Sequence, residues 1–380
     1  MAKIGDKRRI AVVIPKYGLV GGAEQFVAEV TERCARNPVY DMHVFANRWQ
    51  VLSDSVTFHK VPIITFPKFL TTLSFAYFAN RLAAAQPFDL IHAQDRIFDA
   101  DLFTMHGVPH AFWIRHIRRK SMSLHDRATV YVEKRLMGNP RCRCYMPVSH
   151  LAAEKVLDAY DIDTETVRVV HPGIDKERFL SVDRAACRED LCRRFDIDPG
   201  ARIVLFVSMN FEIKGLDRIM QAVAAAQKHD PSHPIMLVIA GKGDERKYRR
   251  LAADKGIADR VFFTGVWKDR LERLYAAGDL FMMLSRFDTF GITVLEAMAA
   301  SLPVIISTHV GARDMVTNGV NGFVIGDDED TETVAAKIGE SLREETWTAM
   351  GTAARETAAN HSWDTVAETI EELYRTYMRR

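Results

Sequence analysis

Short apolar runs rich in β-branched residues recur along this chain, most of them followed by a stretch of helical spacing. That alternation constrains the fold more than any other feature. In the first half the runs are RIAVVIP (9–15), MHVFAN (42–47), FDLIHAQ (88–94), LFTMHG (102–107), CYMPVS (144–149) and VRVVHPG (167–173). In the second half they are RIVLFVS (202–208), IMLVIAG (235–241), RVFFTG (260–265), DLFMMLS (279–285) and PVIIST (303–308). Such runs lack the apolar–polar alternation of a half-exposed strand, so they predict parallel sheets covered on both faces. Residues 21–36 place Phe26, Val27, Val30 and Cys34 at helical spacing, and residues 69–85 read as a second helix. Further helices are expected to begin at Gly215, Asp244, Asp269, Phe290 and Gly311. Strand–helix repetition with right-handed crossovers gives an α/β fold.

A length of 380 residues suits two such domains. The rhythm breaks at 174–201, which is charged, carries DKERF and ends at DPG, so a linker is expected there. This predicts Rossmann-like domains at 1–173 and 202–362, facing a cleft. A terminal helix over 363–380, with Val366, Ile370, Leu373 and Tyr377 at helical spacing, packs on the second domain or crosses back to the first. Lys plus Arg is 51 and Asp plus Glu is 50, so global charge points to no polyanionic partner. The start, MAKIGDKRRIAVVIP, is basic and then apolar, but its apolar stretch is too short for a secretory core, and no run approaches membrane-spanning length. The five cysteines (Cys34, Cys142, Cys144, Cys187 and Cys192) lack paired zinc spacing and read as reduced thiols of a cytoplasmic protein. No metal site is expected.

Open parallel sheets bind ligands beyond the carboxyl ends of their strands. The sharpest group there is SRFDTFGITVLEAMAASLPVI, residues 285–305. A strand gives way to a loop with Asp288, Thr289, Phe290 and Gly291, then to a helix starting with Ile292 and Thr293 and carrying Glu296. The unpaired N–H groups of a helix start can hold a phosphate, and Gly291 lets the backbone approach it. Glu296 lies deeper and suits ribose hydroxyls. A second strand–helix junction, SMNFEIKGLDRIMQAV (208–223), carries Lys214–Gly215, where the ammonium can reach diphosphate oxygens.

These residues resemble the signature of glycosyltransferase family four. Asp288 and Glu296 have the spacing of its acidic pair, although the family usually has Glu at the first position, and Ala297-Met298-Ala299 and Leu302-Pro303-Val304 follow in its manner. Lys214–Gly215 matches the family's Lys-Gly element, with Asn210 where many members have Arg. The resemblance implies GT-B architecture, with an acceptor-binding first domain and a donor-binding second. It implies no cofactor beyond a nucleoside diphosphate sugar, expected to be UDP-linked, although residues 262–285 do not themselves identify the base. Backbone near Val266 is implied to contact that base, and Gly21–Gly22 to lie against donor phosphate and acceptor. KYGLVGGAEQ (16–25) is not a G-x-G-x-x-G fingerprint, which removes a nicotinamide reading, and there is no Walker A loop. His106 follows its strand where the family places a histidine near the transferred sugar, and an imidazole there could hydrogen-bond a hydroxyl.

Residues 110–143 hold nine Lys and Arg against Asp126 and Glu133 alone. Trp113 with Arg115, Arg118, Arg119 and Lys120 reads as a basic helix with an aromatic side, suited to an anionic membrane surface or anionic acceptor. The similarity is to enzymes of lipopolysaccharide core assembly. The reading is a retaining transferase that moves a hexose-type sugar to a glycan or lipid-linked acceptor, at the inner face of the membrane. His106 and Asp288 would position the sugar. A nucleotide-sugar epimerase, or a membrane-associated binding protein that has lost catalysis, remains the alternative. Nothing resembles a nucleic-acid module.

Overall fold

The computed structural model describes residues 7–19, 21–268 and 270–378. They divide into two compact units, Met1–Gly173 with Trp363–Arg380, and Ile174–Ser362. Val20, inside the expected glycine loop, and Asp269, an expected helix start, lie outside the described residues, as do residues 1–6 and the last two residues, 379–380, of the expected terminal helix.

The first unit runs β1 (Arg8–Val13), β2 (Lys16–Tyr17), α1 (Gly22–Arg36), β3 (Tyr40–Ala46), β4 (Arg48–Trp49), β5 (Val56–Lys60), α2 (Leu70–Ala84), β6 (Leu90–Ala93), β7 (Leu102–Met105), α3 (His110–Phe112), α4 (Leu124–Met137), β8 (Cys144–Pro147) and α5 (His150–Ala159). Its main sheet has the order β5-β3-β1-β6-β7-β8. Every pairing in it is parallel. Strands β6, β7 and β8 are buried along their whole length, as their unalternating sequences require.

The second unit runs α6 (Lys176–Leu180), α7 (Arg184–Phe195), β9 (Arg202–Ser208), α8 (Leu216–His229), β10 (Ile235–Gly241), α9 (Glu245–Asp254), β11 (Val261–Gly265), α10 (Leu271–Ala277), β12 (Leu280–Met283), α11 (Ile292–Ala299), β13 (Val304–Ser307), β14 (Gly322–Ile325), α12 (Thr331–Leu342) and α13 (Glu344–Ala359). Its sheet order, β11-β10-β9-β12-β13-β14, repeats that of the first unit. In each unit the first strand is central and the chain reverses direction across the sheet beside it. That topology opens a crevice at the carboxyl ends of β1 and β6, and of β9 and β12.

The last helix, α14 (Trp363–Tyr377), belongs to the first unit. It buries Trp363, Val366, Ala367, Ile370 and Tyr374. Trp363 meets Phe26 of α1 edge-on with ring centroids 5.7 Å apart, and burying a side chain of that size stabilises by roughly 2–3 kcal/mol. Arg33 to Asp364 at 2.6 Å and Asn37 to Glu371 at 2.8 Å fix the helix along α1.

Four expectations are corrected. Residues 174–201 are not a linker: they fold as α6 and α7 within the second unit. Arg184 and Arg188 of α7 both reach the buried Asp279, at 2.9 and 2.7 Å, so ion pairs join the narrow apolar face of Cys187, Leu191 and Cys192 in holding this charged helix. Residues 167–173 form no strand: Val167 makes an isolated bridge to Tyr145 and residues 168–173 are irregular. Gly311 opens one 3-10 turn, not a helix. The basic segment is not one helix: α3 continues into a π-helical turn, Trp113–Ile117, and the chain breaks before Ser123 caps α4. All five cysteines are buried and unbridged. Among the described residues no helix is long and apolar enough to cross a membrane.

Candidate active site

In the second unit, two loops meet at the carboxyl ends of β9 and β12. The first, 209–215, is a tight turn: Asn210 Oδ1 accepts from Ile213 N–H at 3.1 Å, and Gly215 closes it with φ +73°. A Cβ on Gly215 would lie 1.9 Å from the Leu284 carbonyl oxygen, so only glycine lets α8 start against the end of β12. The second loop is stitched to the first by Ser285, whose Oγ contacts the carbonyl oxygens of Ile213 at 3.0 Å and Phe287 at 2.9 Å. Asp288 is clamped by its backbone, its N–H donating to His309 O at 2.8 Å and its carbonyl accepting from Gly311 at 3.0 Å.

This arrangement brings Lys214 and Asp288 together: Lys214 Nζ donates to Asp288 Oδ2, and both side chains are largely but not wholly buried. Beyond Asp288, Gly291 takes φ +88° and begins α11 without a side-chain cap. Its missing Cβ would press on Met283 Cε at 2.7 Å and Val310 Cγ1 at 3.0 Å. Thr289, Ile292 and Thr293 are partly exposed around this helix start, while Phe290 is buried. A lysine and an uncapped helix N-terminus at one strand-end crevice have the positive charge and free N–H groups that a phosphate dianion requires. Val266 is exposed just past β11, and Asn210 is exposed in its turn.

Glu296 is buried on α11. Its Oε2 accepts from Tyr275 O–H at 2.9 Å. Burial raises its carboxyl to about 7, against the opposing pull of the Tyr275 hydrogen bond and the nearby Arg178 charge. Arg178 is held in place by Glu272 at 2.9 Å, which Arg270 also contacts at 2.5 Å. Tyr275, Arg178 and Glu272 were not singled out from the sequence. Arg178 lies in the DKERF stretch that read as linker, and no local pattern marks an arginine that α6 swings toward two buried acids.

In the first unit, a pocket of about 350 Å³ opens at the carboxyl ends of β1, β6 and β7. Its lining includes Lys16, Glu24, Gln94, Asp95, Arg96 and His106. Gly21 and Gly22 are exposed at the start of α1, beside the lining residues Ala23 and Glu24. Glu24 folds back over Gly21, where a Cβ would lie 2.1 Å from its Oε2. Arg96 is tied to the fully buried Glu133 at 2.5 Å, and Glu133 also accepts from Tyr160 O–H at 2.5 Å and His110 N–H at 2.9 Å. His106 Nε2 lies 2.9 Å from Gln94 Oε1, and its ring meets Phe26 edge-on at 5.0 Å. Burial lowers its imidazole to about 3, so it is neutral at physiological pH. Trp113 is half-buried, whereas Arg115, Arg118, Arg119 and Lys120 are exposed.

Comparison with known proteins points one way. The family model of glycosyl transferases group 1 matches residues 188–373, and that of Glycosyltransferase Family 4 matches residues 20–178. A D-inositol 3-phosphate glycosyltransferase of Salinispora tropica is 34% identical over 237 residues, 58% of this chain and 48% of that protein. The chain spans about half the length of the first curated relatives it matches. Among solved structures, WaaG, a glycosyltransferase involved in lipopolysaccharide biosynthesis, has a TM-score of 0.78 at 20% identity, covering 96% of this chain and 99% of that one. Anabaena HepE in complex with UDP-glucose has a TM-score of 0.72 at 18% identity, covering 97% and 99%. At those identities the likeness to WaaG and HepE is one of fold, two Rossmann-like halves of GT-B type.

Proposed function

We propose that this chain, matched by the group 1 and Family 4 glycosyltransferase models, acts as a glycosyltransferase of family four and moves a hexose-type sugar, with retention, from a UDP-linked donor to a hydroxyl of a glycan or lipid-linked acceptor. The observation that carries this reading is the convergence of Lys214, Asp288 and the uncapped start of α11 at one strand-end crevice, with Glu296 behind them. The donor diphosphate sits at the start of α11 and competes with Asp288 for Lys214, which has three N–H donors to share. Glu296 accepts from the ribose hydroxyls, and backbone near Val266 borders the base. Asp288, released from Lys214, accepts from hydroxyls of the sugar.

In the reaction the bond from the anomeric carbon to the diphosphate oxygen breaks and a bond to the acceptor oxygen forms. The acceptor proton passes to the departing diphosphate. Lys214 and the N–H groups of 289–293 stabilise the charge that grows on the leaving group, the largest electrostatic demand of the step. The first-unit pocket receives the acceptor, and His106, being neutral, serves by hydrogen bonding rather than as a cationic acid. The chain needs no cofactor besides the donor.

The same unit carries a surface suited to an anionic bilayer, so the acceptor is proposed to be presented at the membrane. Arg115, Arg118, Arg119, Lys120, Arg127, Lys134 and Arg135 are exposed, whereas the only acids between 110 and 143 face inward: Glu133 is buried and Asp126 is bound by Ser123 and His110. Leu124 and Tyr131, 69% and 52% exposed, lie on one face of α4 with Arg127 and Arg135. His125 Nδ1 meets Lys68 O at 3.1 Å, which brings the loop of the 87% exposed Phe66 beside that face. Exposed apolar side chains ringed by cations suit an interfacial helix.

The transfer reading is tested by incubating the chain with UDP-sugars and a lipid-extract acceptor. Acceptor-dependent UDP release with an α-linked product from an α-linked donor is expected. UDP-sugar turned over without acceptor, into an isomeric UDP-sugar, would replace this reading with epimerisation.

A further inference from the structure

The two oxygens of the Glu296 carboxyl have different surroundings. Tyr275 on α10 is fully buried, and its hydroxyl donates to Oε2 at 2.9 Å. Oε1 has no hydrogen-bond partner among the described residues, although Glu296 is only 8% exposed. A buried carboxyl oxygen without a donor is costly, so this one suits a ligand that brings its own hydroxyl. The Tyr275 ring packs on Phe179 of α6 and Phe281 of β12, with centroids 6.2 and 6.0 Å away, which leaves its hydroxyl little freedom. Two charges act on the carboxyl: Arg178 of α6 pulls it down and Glu272 of α10 pushes it up. Strands β12 and β13, LFMM and VIIS, carry no titratable side chain, and α13 buries Met350, Gly351, Ala354 and Ala358. In the turn after β13, Arg313 donates to Thr308 O at 2.9 Å and Asp314 is exposed.

We propose that Tyr275 is a positioning residue for nucleotide recognition, holding Oε2 of Glu296 so that Oε1 is the oxygen offered to the ribose hydroxyls. This rests on the reading of Glu296 as the ribose acceptor. Tyr275 itself has no exposed surface and does not touch the ligand; it acts through the carboxyl alone. A phenol has one proton to donate, and here it is spent on one oxygen of a group that has two. The hydroxyl has two consequences. It fixes which oxygen remains to accept, and a site built around a placed acceptor rejects a ligand that lacks the matching hydroxyl. It also favours the ionised form, because a hydrogen bond to a carboxylate opposes the burial that raises this carboxyl to about 7. Removing the hydroxyl takes away both, so the carboxyl then titrates above that value and its oxygens are no longer distinguished.

The test compares full-length wild type with Tyr275→Phe, checked for folding by its melting transition. Carbon-13 NMR of glutamate-labelled chain reads the titration, with the Glu296 carboxyl assigned from Glu296→Gln. Calorimetry reads the binding of UDP and of 2′,3′-dideoxy-UDP, which lacks both ribose hydroxyls. In Tyr275→Phe the carboxyl should titrate about one pH unit higher. At pH 9 wild type should prefer UDP by about tenfold or more, and the variant should lose most of that preference while its affinity for the dideoxy analogue stays within about twofold. A residue that only supported the fold would weaken both nucleotides alike and leave the titration in place. Arg178→Gln removes a charge but keeps the hydrogen bond, so it should raise the titration yet retain the preference at pH 9. An unshifted titration in folded Tyr275→Phe, or an intact preference for UDP, overturns the positioning role. A shifted titration with a wild type that binds both nucleotides equally would instead overturn the ribose reading of Glu296 and leave the hold of Tyr275 on its carboxyl standing.

Discussion

Replacing Glu296 with Gln separates the two things its carboxyl is asked to do. In the folded chain burial raises that carboxyl from 4.5 to about 7. Between those values the folded state holds a proton that the unfolded state has released, so stability falls as pH rises and the penalty is complete above about pH 7. A shift of that size corresponds to about 3 kcal/mol at 1.36 kcal/mol per unit. Gln fills the same space and can still accept from Tyr275 O–H, but it does not titrate. Glu296→Gln should therefore match wild type near pH 4 and exceed its stability by up to about 3 kcal/mol at pH 8. Donor affinity should move the other way. Ribose hydroxyls favour the carboxylate, so wild type should bind nucleoside diphosphate about tenfold more weakly at pH 6 than at pH 8, and the variant weakly and evenly across that range. Two units need not unfold together, so urea unfolding is best read by hydrogen exchange of peptides from α11. A stability difference that stays constant from pH 5 to 8 would refute the reasoning.

Two other perturbations follow from the geometry. Gly215→Ala places a Cβ against the Leu284 carbonyl in a left-handed backbone conformation, and should destabilise the second unit by about 3 kcal/mol or more, seen as a lowered urea midpoint. Neutralising Arg115, Arg118 and Arg119 should weaken sedimentation with phosphatidylglycerol vesicles by roughly 3 kcal/mol, about a hundredfold in partitioning, and Leu124→Ser with Tyr131→Ser should weaken it further; undiminished binding would remove this face as the docking surface.

The sequence disclosed the sheets best where strands are buried on both faces. The limits of β9 and β10 coincide with the apolar runs RIVLFVS and IMLVIAG. It disclosed least where tertiary contacts replace periodicity. Helix α7 buries only Cys187, Leu191 and Cys192, a narrow face among many charged residues, so the segment reads as linker. β5, VTFHK, is an edge strand with a half-exposed face, and β14 has only four residues. The site shows the same division. Lys214, Asp288 and Gly291 stand next to strand ends, so topology alone brings them together. The partners of Glu296 and His106 come from elsewhere: Arg178 from the segment read as linker, and Gln94 from the end of β6. Contacts made across such separations in sequence leave no local spacing to read.

The central claim is that the second unit binds a nucleoside diphosphate through Lys214 and the start of α11. The most direct measurement is the melting shift of the chain with a panel of nucleoside diphosphates and their sugars, repeated on Lys214→Ala. Ligand at a hundred times its Kd adds about 2.7 kcal/mol, roughly 5–10 °C for a unit of this size. A shift of that order with UDP and a UDP-sugar, largely lost in Lys214→Ala, is the predicted result. No shift with any nucleotide from folded wild type, or an equal shift in the variant, would contradict it.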